Sequence, residues 1–238
     1  SRVNPYIRRM NREAEWLGSA PPAAQALEQP PAAAPANEPG RAEAQAAVPI
    51  RSLSRSHARV ITRHLLSLPQ QDRYLRFGYA ATDEQIRRYV ERLNFERDEL
   101  LGIFNRRLEL IAMAHLAFSA DPRCLSCAEF GVSVARSARG RGYGSRLFER
   151  AVVHARNEGV QMLFIHALSE NTAMLRIARK AGATIERDGP ESEAHLRLPP
   201  ADFDSRVSEI VDRQVALTDY HLKAQARLFW RVLSGLQS

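Results

Sequence analysis

The chain has 238 residues, 45% of them hydrophobic, and a formal net charge of +7, so it carries enough apolar side chain for at least one full core. Its longest apolar run, "LELIAMAHLAFSA" at 108–120, is too short for a membrane helix and holds Glu109 and His115; with no signal-peptide pattern at the start, a cytoplasmic location without membrane partners is expected. Residues 1–48 carry five Arg against five Glu, and residues 201–238 five basic against five acidic side chains, so all of the excess charge lies between 49 and 200.

In chain order, a short head at 1–19 with Tyr6, Ile7, Met10, Trp16 and Leu17 precedes a linker at 20–48, rich in Pro and Ala, which has almost nothing to bury. From 49 the hydrophobic period changes repeatedly, as in a mixed α/β domain that runs to 200. Helical spacing covers 57–68 and 83–94, the second opening at Thr82 and Asp83 as cap candidates. Strands are predicted at 99–105, 109–118 and 127–134, with a turn at 105–107. A loop is expected over 69–82. A helix over 142–158 ends near Gly159, a nearly continuously apolar strand spans 160–168, and a helix covers 171–181. Two short strands near 183–187 and 193–198, with an acceptor-side loop around 186–194, close the domain. Residues 201–238 form a helical extension, read as packing on its own domain or as a homodimer surface. The one C-x-x-C, Cys124 and Cys127, lacks a second ligand pair at zinc-site spacing; no metal is expected, and the pair reads as incidental loop thiols.

The densest chemistry is "ARGRGYGSRL" at 138–147, directly after the strand "EFGVSV". A strand, a glycine turn and a helix start together present unpaired N–H groups and the positive end of a helix dipole, which suits a phosphate. The P-loop fails here, because Gly144-Ser145-Arg146 replaces G-K-S/T, and the dinucleotide fingerprint lacks its third glycine. Arg136, Arg139, Arg141, Arg146 and Arg150 face only Glu149 in this region. A compact phosphate-bearing ligand fits that cluster; the rival reading is a solvated basic face.

The pattern R-x-x-G-x-G at 139–144, in that strand-to-helix context, resembles the acetyl-CoA site of the GNAT superfamily of N-acetyltransferases. The order of elements over 49–198 and "SENTAMLRIARKAGA" at 169–183 extend the likeness. "DRYLRF" at 72–77 and "AEFGVSVARSARGRGYG" at 128–144 are most similar to the GNAT domain of bacterial protein-lysine acetyltransferases. The resemblance implies a GNAT fold, a mixed central sheet with helices on both faces, and acetyl-CoA as cosubstrate. It also implies that the backbone of Val132 and Val134 pairs with the pantetheine arm. The amides of Arg141, Gly142, Tyr143, Gly144 and Ser145 would hold the pyrophosphate. Gly140, Arg139 and Asn171 complete the implied cofactor-binding set.

An acceptor lysine with a pKa of about 10.4 is neutral in only about one molecule in 2500 at pH 7, a handicap of roughly 4.6 kcal/mol. A base is therefore expected, and Glu129, on the strand that meets the thioester, is the candidate; an outward-facing or ion-paired glutamate is the rival reading. Many family members place a Tyr where this chain has Ala178, which leaves no assigned acid for the thiolate. His115 and His166 are weighed as helpers, with satisfied core histidines favoured. The function expected is transfer of acetyl to a primary amine by direct attack, with a protein lysine as acceptor. The alternatives are a small amine (polyamine, amino acid or aminoglycoside) and a non-catalytic CoA-sensing scaffold; nucleic-acid binding is disfavoured.

Overall fold

The structure, a computed structural model, describes residues 48–188, 191–201 and 209. The predicted head, linker and most of the C-terminal extension, with its dimer surface, lie outside the described residues. Two units are distinguished: Ser1–Val48 with Asp121–Cys124, and Pro49–Ala120 with Leu125–Ser238. In the first, 121–124 is a tight turn in which the Cys124 N–H donates to the Asp121 carbonyl at 2.9 Å and Arg123 pairs with the Asp121 carboxylate.

The second unit is built on one seven-stranded sheet in the order β1-β2-β3-β4-β5-β7-β6. The strands are β1 Arg51–Ser52, β2 Glu99–Phe104, β3 Leu110–Phe118, β4 Cys127–Val134, β5 Met162–Leu168, β6 Thr184–Asp188 and β7 Glu191–Arg197. Every pairing is antiparallel except β4 with β5. The helices are α1 Ala58–Leu66, α2 Gln70–Phe77, α3 Asp83–Glu91, α4 Tyr143–Asn157 and α5 Thr172–Lys180.

Strand alternation decides which helix covers which face. Leu100, Leu110 and Met113 join Ile61, Leu65, Phe77, Ile86 and Val90 in a core beneath α1, α2 and α3. The opposite face takes α4, where Phe130 meets Phe148 edge-on at 5.0 Å between ring centres. The sheet thus has helices on both faces, as the sequence implied. Thr82 caps α3 with a capping box: the Gln85 N–H donates to its hydroxyl at 3.3 Å and its own N–H donates to the Gln85 side chain at 2.9 Å.

Two expectations change. The stretch 69–82 is not a loop throughout, because 70–77 is helix α2. Its residues are polar on most sides, so helical spacing was weak; Arg73 holds the turn in place by donating to the carbonyls of Leu66, Leu68 and Ala81 and pairing with Asp83. The expected loop 186–194 is largely the β6–β7 hairpin, with Glu186 opposite Glu193.

Candidate functional site

β4 pairs with β3 over nearly its full length, from Phe118 opposite Ala128 to Ala112 opposite Val134. Its pairing with β5 is much shorter, covering only Cys127, Ala128 and Glu129, while β5 continues against β7 as far as Leu168. The two parallel strands therefore part immediately after Glu129. Backbone groups of β4 beyond that point face the opening, and this is where Val132 and Val134 lie, half-buried.

The chain then makes one 3-10 turn at Arg136–Ala138 and enters the glycine turn. Gly140 and Gly142 stand at φ 75° and 72°, and a Cβ at either would meet nothing within 4 Å; the left-handed backbone, and not crowding, selects glycine at both. Gly142 caps α4 without a side-chain bond, and the first helical bond runs from the Arg146 N–H to the Gly142 carbonyl at 3.1 Å. The N–H groups of Tyr143, Gly144 and Ser145 thus lie ahead of the helical ladder, at the positive end of the helix. Gly144 is instead a close-packing position, where a Cβ would come within 3.3 Å of Ile177. Arg141 is exposed.

Two predicted residues have partners that the motif did not reveal. Arg139 pairs with Asp72 of α2, tying the turn to that helix. Asn171 caps α5 by accepting from the Met174 N–H at 3.2 Å, and its amide donates to the Leu75 carbonyl at 3.4 Å. Ala178 is fully buried in α5.

Glu129 is half-buried, and its side chain forms no hydrogen bond or ion pair among the described residues. It shares a strand face with Gly131 and Ser133, two and four residues on. That face meets the three N-terminal helices. His64 of α1 accepts at Nε2 from the Ser133 hydroxyl at 2.9 Å and donates through Nδ1 to the Leu110 carbonyl at 3.0 Å. Burial lowers its pKa to about 4, which keeps it neutral. At Gly131 the missing side chain is replaced by Arg76, whose guanidinium lies 2.6 Å from where a Cβ would be.

From Arg76 a line of polar side chains runs inward, and sequence reasoning did not find it. Arg76 Nη2 donates to the Tyr89 hydroxyl at 3.1 Å, Tyr89 meets His115 Nδ1 at 2.8 Å, and His115 Nε2 meets the Asp98 carboxylate at 3.1 Å. Asp98 also accepts from Arg97 at 2.9 Å and from the Phe118 N–H at 3.3 Å. Burial works to raise the Asp98 carboxyl, but the bonds from His115 and Arg97 outweigh it and hold the group below the ordinary carboxylate value. Burial pushes the Tyr89 phenol up, with the charge of Glu129 acting in the same direction and that of Arg76 against it. Both ring nitrogens of His115 are thus partnered, as in a satisfied histidine. The only sequence signal was "DRYLRF", which contains Arg76.

Across the strand junction, Phe164 is opposite Glu129 and His195, His166 is opposite Glu193, and Glu193 is opposite Glu186. These residues share the face that carries Glu129. Glu193 sits 3.9 Å from both His166 and His195.

The expected loop thiols are absent: Cys124 and Cys127 are both disulfide-bonded. Among the described residues no group of three or more His, Cys, Asp or Glu side chains is arranged for a metal, and no helix is long and apolar enough to cross a membrane.

Comparisons with known proteins match this fold. The family model described as an acetyltransferase (GNAT) domain matches residues 48–184. No curated protein matches the chain. Among solved structures, the GNAT domain of S. lividans PAT aligns with a TM-score of 0.53 at 20% identity, covering 63% of this chain and 89% of that one. An acetyltransferase of the GNAT family from Streptococcus pneumoniae gives 0.52 at 15% identity, covering 63% and 98%. The protein yncA of Salmonella typhimurium, solved with its cofactor acetyl-CoA, gives 0.50 at 15%, covering 64% and 95%.

Proposed function

The chain belongs to the GNAT family of acetyltransferases, and from that premise we propose that it transfers acetyl from acetyl-CoA to a primary amine by direct attack within a ternary complex. The observation that carries this reading is the parting of β4 and β5 immediately after Glu129, with the Gly142 turn and the α4 N-terminus at the far end of the same strand.

In this reading the backbone of Val132 and Val134 pairs with the pantetheine arm, and the amides of Arg141, Gly142, Tyr143, Gly144 and Ser145 receive the pyrophosphate. Arg139 and Arg141 neutralise phosphate charge; Arg139 does so from a position fixed by Asp72. Gly140 supplies the turn, and Asn171 holds the start of α5 beside it. Acetyl-CoA supplies the activated acyl group. Glu129 takes the proton that keeps the acceptor amine from attacking, and a β4 amide near Val132 to Val134 donates to the carbonyl oxygen as it becomes anionic.

The acceptor we infer is a lysine side chain of a protein, as the likeness to the protein-lysine enzymes suggests. One observation favours small cationic amines as the second reading: Glu186 and Glu193 lie on the sheet face that carries Glu129. The test is transfer of labelled acetyl to lysine-containing proteins and to a small-amine panel, by wild type and Glu129→Gln. Label in one pool, lowered about 10²-fold or more in the variant while calorimetry finds acetyl-CoA binding unchanged, is the expected result. Binding without transfer to either pool favours a CoA-sensing scaffold.

A further inference from the structure

An ammonium acceptor gives up two protons on becoming an amide, one before it attacks and one as the C–N bond forms. Glu129 accounts for the first, which it returns to solvent. The second must leave nitrogen while the C–S bond breaks, and the departing thiolate must gain one. Ala178 stands where relatives carry a tyrosine for that purpose, so α5 offers no acid.

The line Arg76, Tyr89, His115, Asp98 is an ionisable assembly on the face of the sheet that carries Glu129. Gly131, two residues from Glu129, is directly opposite His115 in the β3–β4 register. Arg76 occupies the space over Gly131 and bonds to Tyr89. An arginine can only donate. The phenol's own proton is therefore available to His115 Nδ1, and the Nε2–H faces Asp98. A relay from phenol to imidazole results, with the carboxylate placed to balance the imidazolium. Both ring nitrogens of His115 and the Tyr89 oxygen are partnered within this line, and both Glu129 and Arg76 act electrostatically on Tyr89.

Resting on the acetyltransferase reading, we propose that Tyr89 is a catalytic residue that carries the second proton from the acceptor nitrogen to the CoA sulfur, with His115 and Asp98 as its positioning residues. As nitrogen bonds to the acyl carbon, its N–H proton passes to the Tyr89 oxygen while the phenol proton passes to His115 Nδ1; Asp98 balances the imidazolium. The reverse shift then delivers a proton from Tyr89 to the sulfur as the C–S bond breaks. N–H and C–S bonds are broken, C–N and S–H bonds are formed, and the relay ends as it began. Arg76 steadies the phenol oxygen throughout. The charged and titratable groups facing Tyr89 are Arg76 from α2, Glu129 from β4, His115 from β3 and Asp98 ahead of β2.

Tyr89→Phe keeps the ring that packs edge-on to Phe77 at 5.3 Å and removes only the hydroxyl. Single-turnover transfer to lysine-containing proteins and to the small-amine panel is measured for wild type and variant in mixtures of H2O and D2O, with acetyl-CoA affinity by calorimetry. The expected result is a rate about 10²-fold lower at unchanged affinity, and a curved isotope dependence in wild type that becomes linear in the variant. A rate within threefold of wild type overturns the relay, and so does a slow variant that keeps the wild-type curvature, since that is a structural effect. If Tyr89→Phe does not fold, His115→Gln, which leaves the phenol in place, is read by the same curvature. A wild type that binds acetyl-CoA and transfers to no amine overturns the acetyltransferase reading, and the relay with it.

Discussion

The guanidinium of Arg76 occupies the place where a side chain at Gly131 would begin, with Cζ and Nη1 each 2.6 Å from the position of a Cβ. α2 is thereby locked onto β4 at the residue where the parted strand turns its backbone to the opening.

Gly131→Ala therefore pushes Arg76 away and breaks its bond to Tyr89. Because the displaced atoms are the end of a flexible side chain, the fold should tolerate the change with a loss of about 1 kcal/mol or less. Turnover should fall about tenfold or more, while Arg76→Lys, which cannot span the same two contacts, should mimic it. Matched thermal denaturation and acetyl-transfer assays check both halves of this expectation.

At Gly142 the constraint is conformational. Its φ of 72° and the open space before it mean that Gly142→Ala costs only backbone energy, about 1–2 kcal/mol. If the turn relaxes to avoid that cost, the first amides of α4 turn away from the phosphates. Urea denaturation should register the modest stability loss, and calorimetry a weakening of acetyl-CoA binding about tenfold or greater.

His64 gives the chain an acid-sensitive joint. In the folded protein burial depresses its pKa to about 4 from an ordinary 6.5. Between those values the unfolded chain takes up a proton that the native state refuses, so stability falls as pH drops from 6.5 toward 4, by about 3 kcal/mol for this group alone. His64→Gln should be less stable than wild type at pH 7.5, and that gap should narrow by pH 4.5. A gap that does not change with pH would remove His64 as the cause.

Glu209, described in the C-terminal extension together with Ala201, is anchored to α4. Its carboxylate meets His154 Nδ1 at 2.5 Å and Asn157, and Arg150 Nη2 donates to its carbonyl at 3.2 Å. Burial opposes ionisation, yet these bonds and the charges of His154 and Arg150 keep the carboxyl below its ordinary value of 4.5. The contribution is fully present above that value and is lost as pH falls from it through the lower folded-state value. Glu209→Ala leaves Arg150, 7% exposed, without its nearest carboxylate. A loss of about 3 kcal/mol in chemical denaturation at pH 7 is expected.

The sequence by itself determined the parts that local pattern encodes. β4 has the predicted limits 127–134, α4 and α5 lie within a residue or so of theirs, and the Thr82 cap is where side-chain chemistry put it. Each follows from interactions within a few residues, such as a period, a cap or a glycine at positive φ. Tertiary structure alone decided what surrounds Glu129. Helix α2 lies in a polar stretch and is held by Arg73 reaching five to ten residues away. Tyr89 and His115 are 26 positions apart, His115 and Asp98 17, and His64 and Ser133 69. No spacing rule links such residues. They meet because alternation along β3 and β4 puts Met113, His115, Gly131 and Ser133 on one face, and burying that face brings α1, α2 and α3 down upon it.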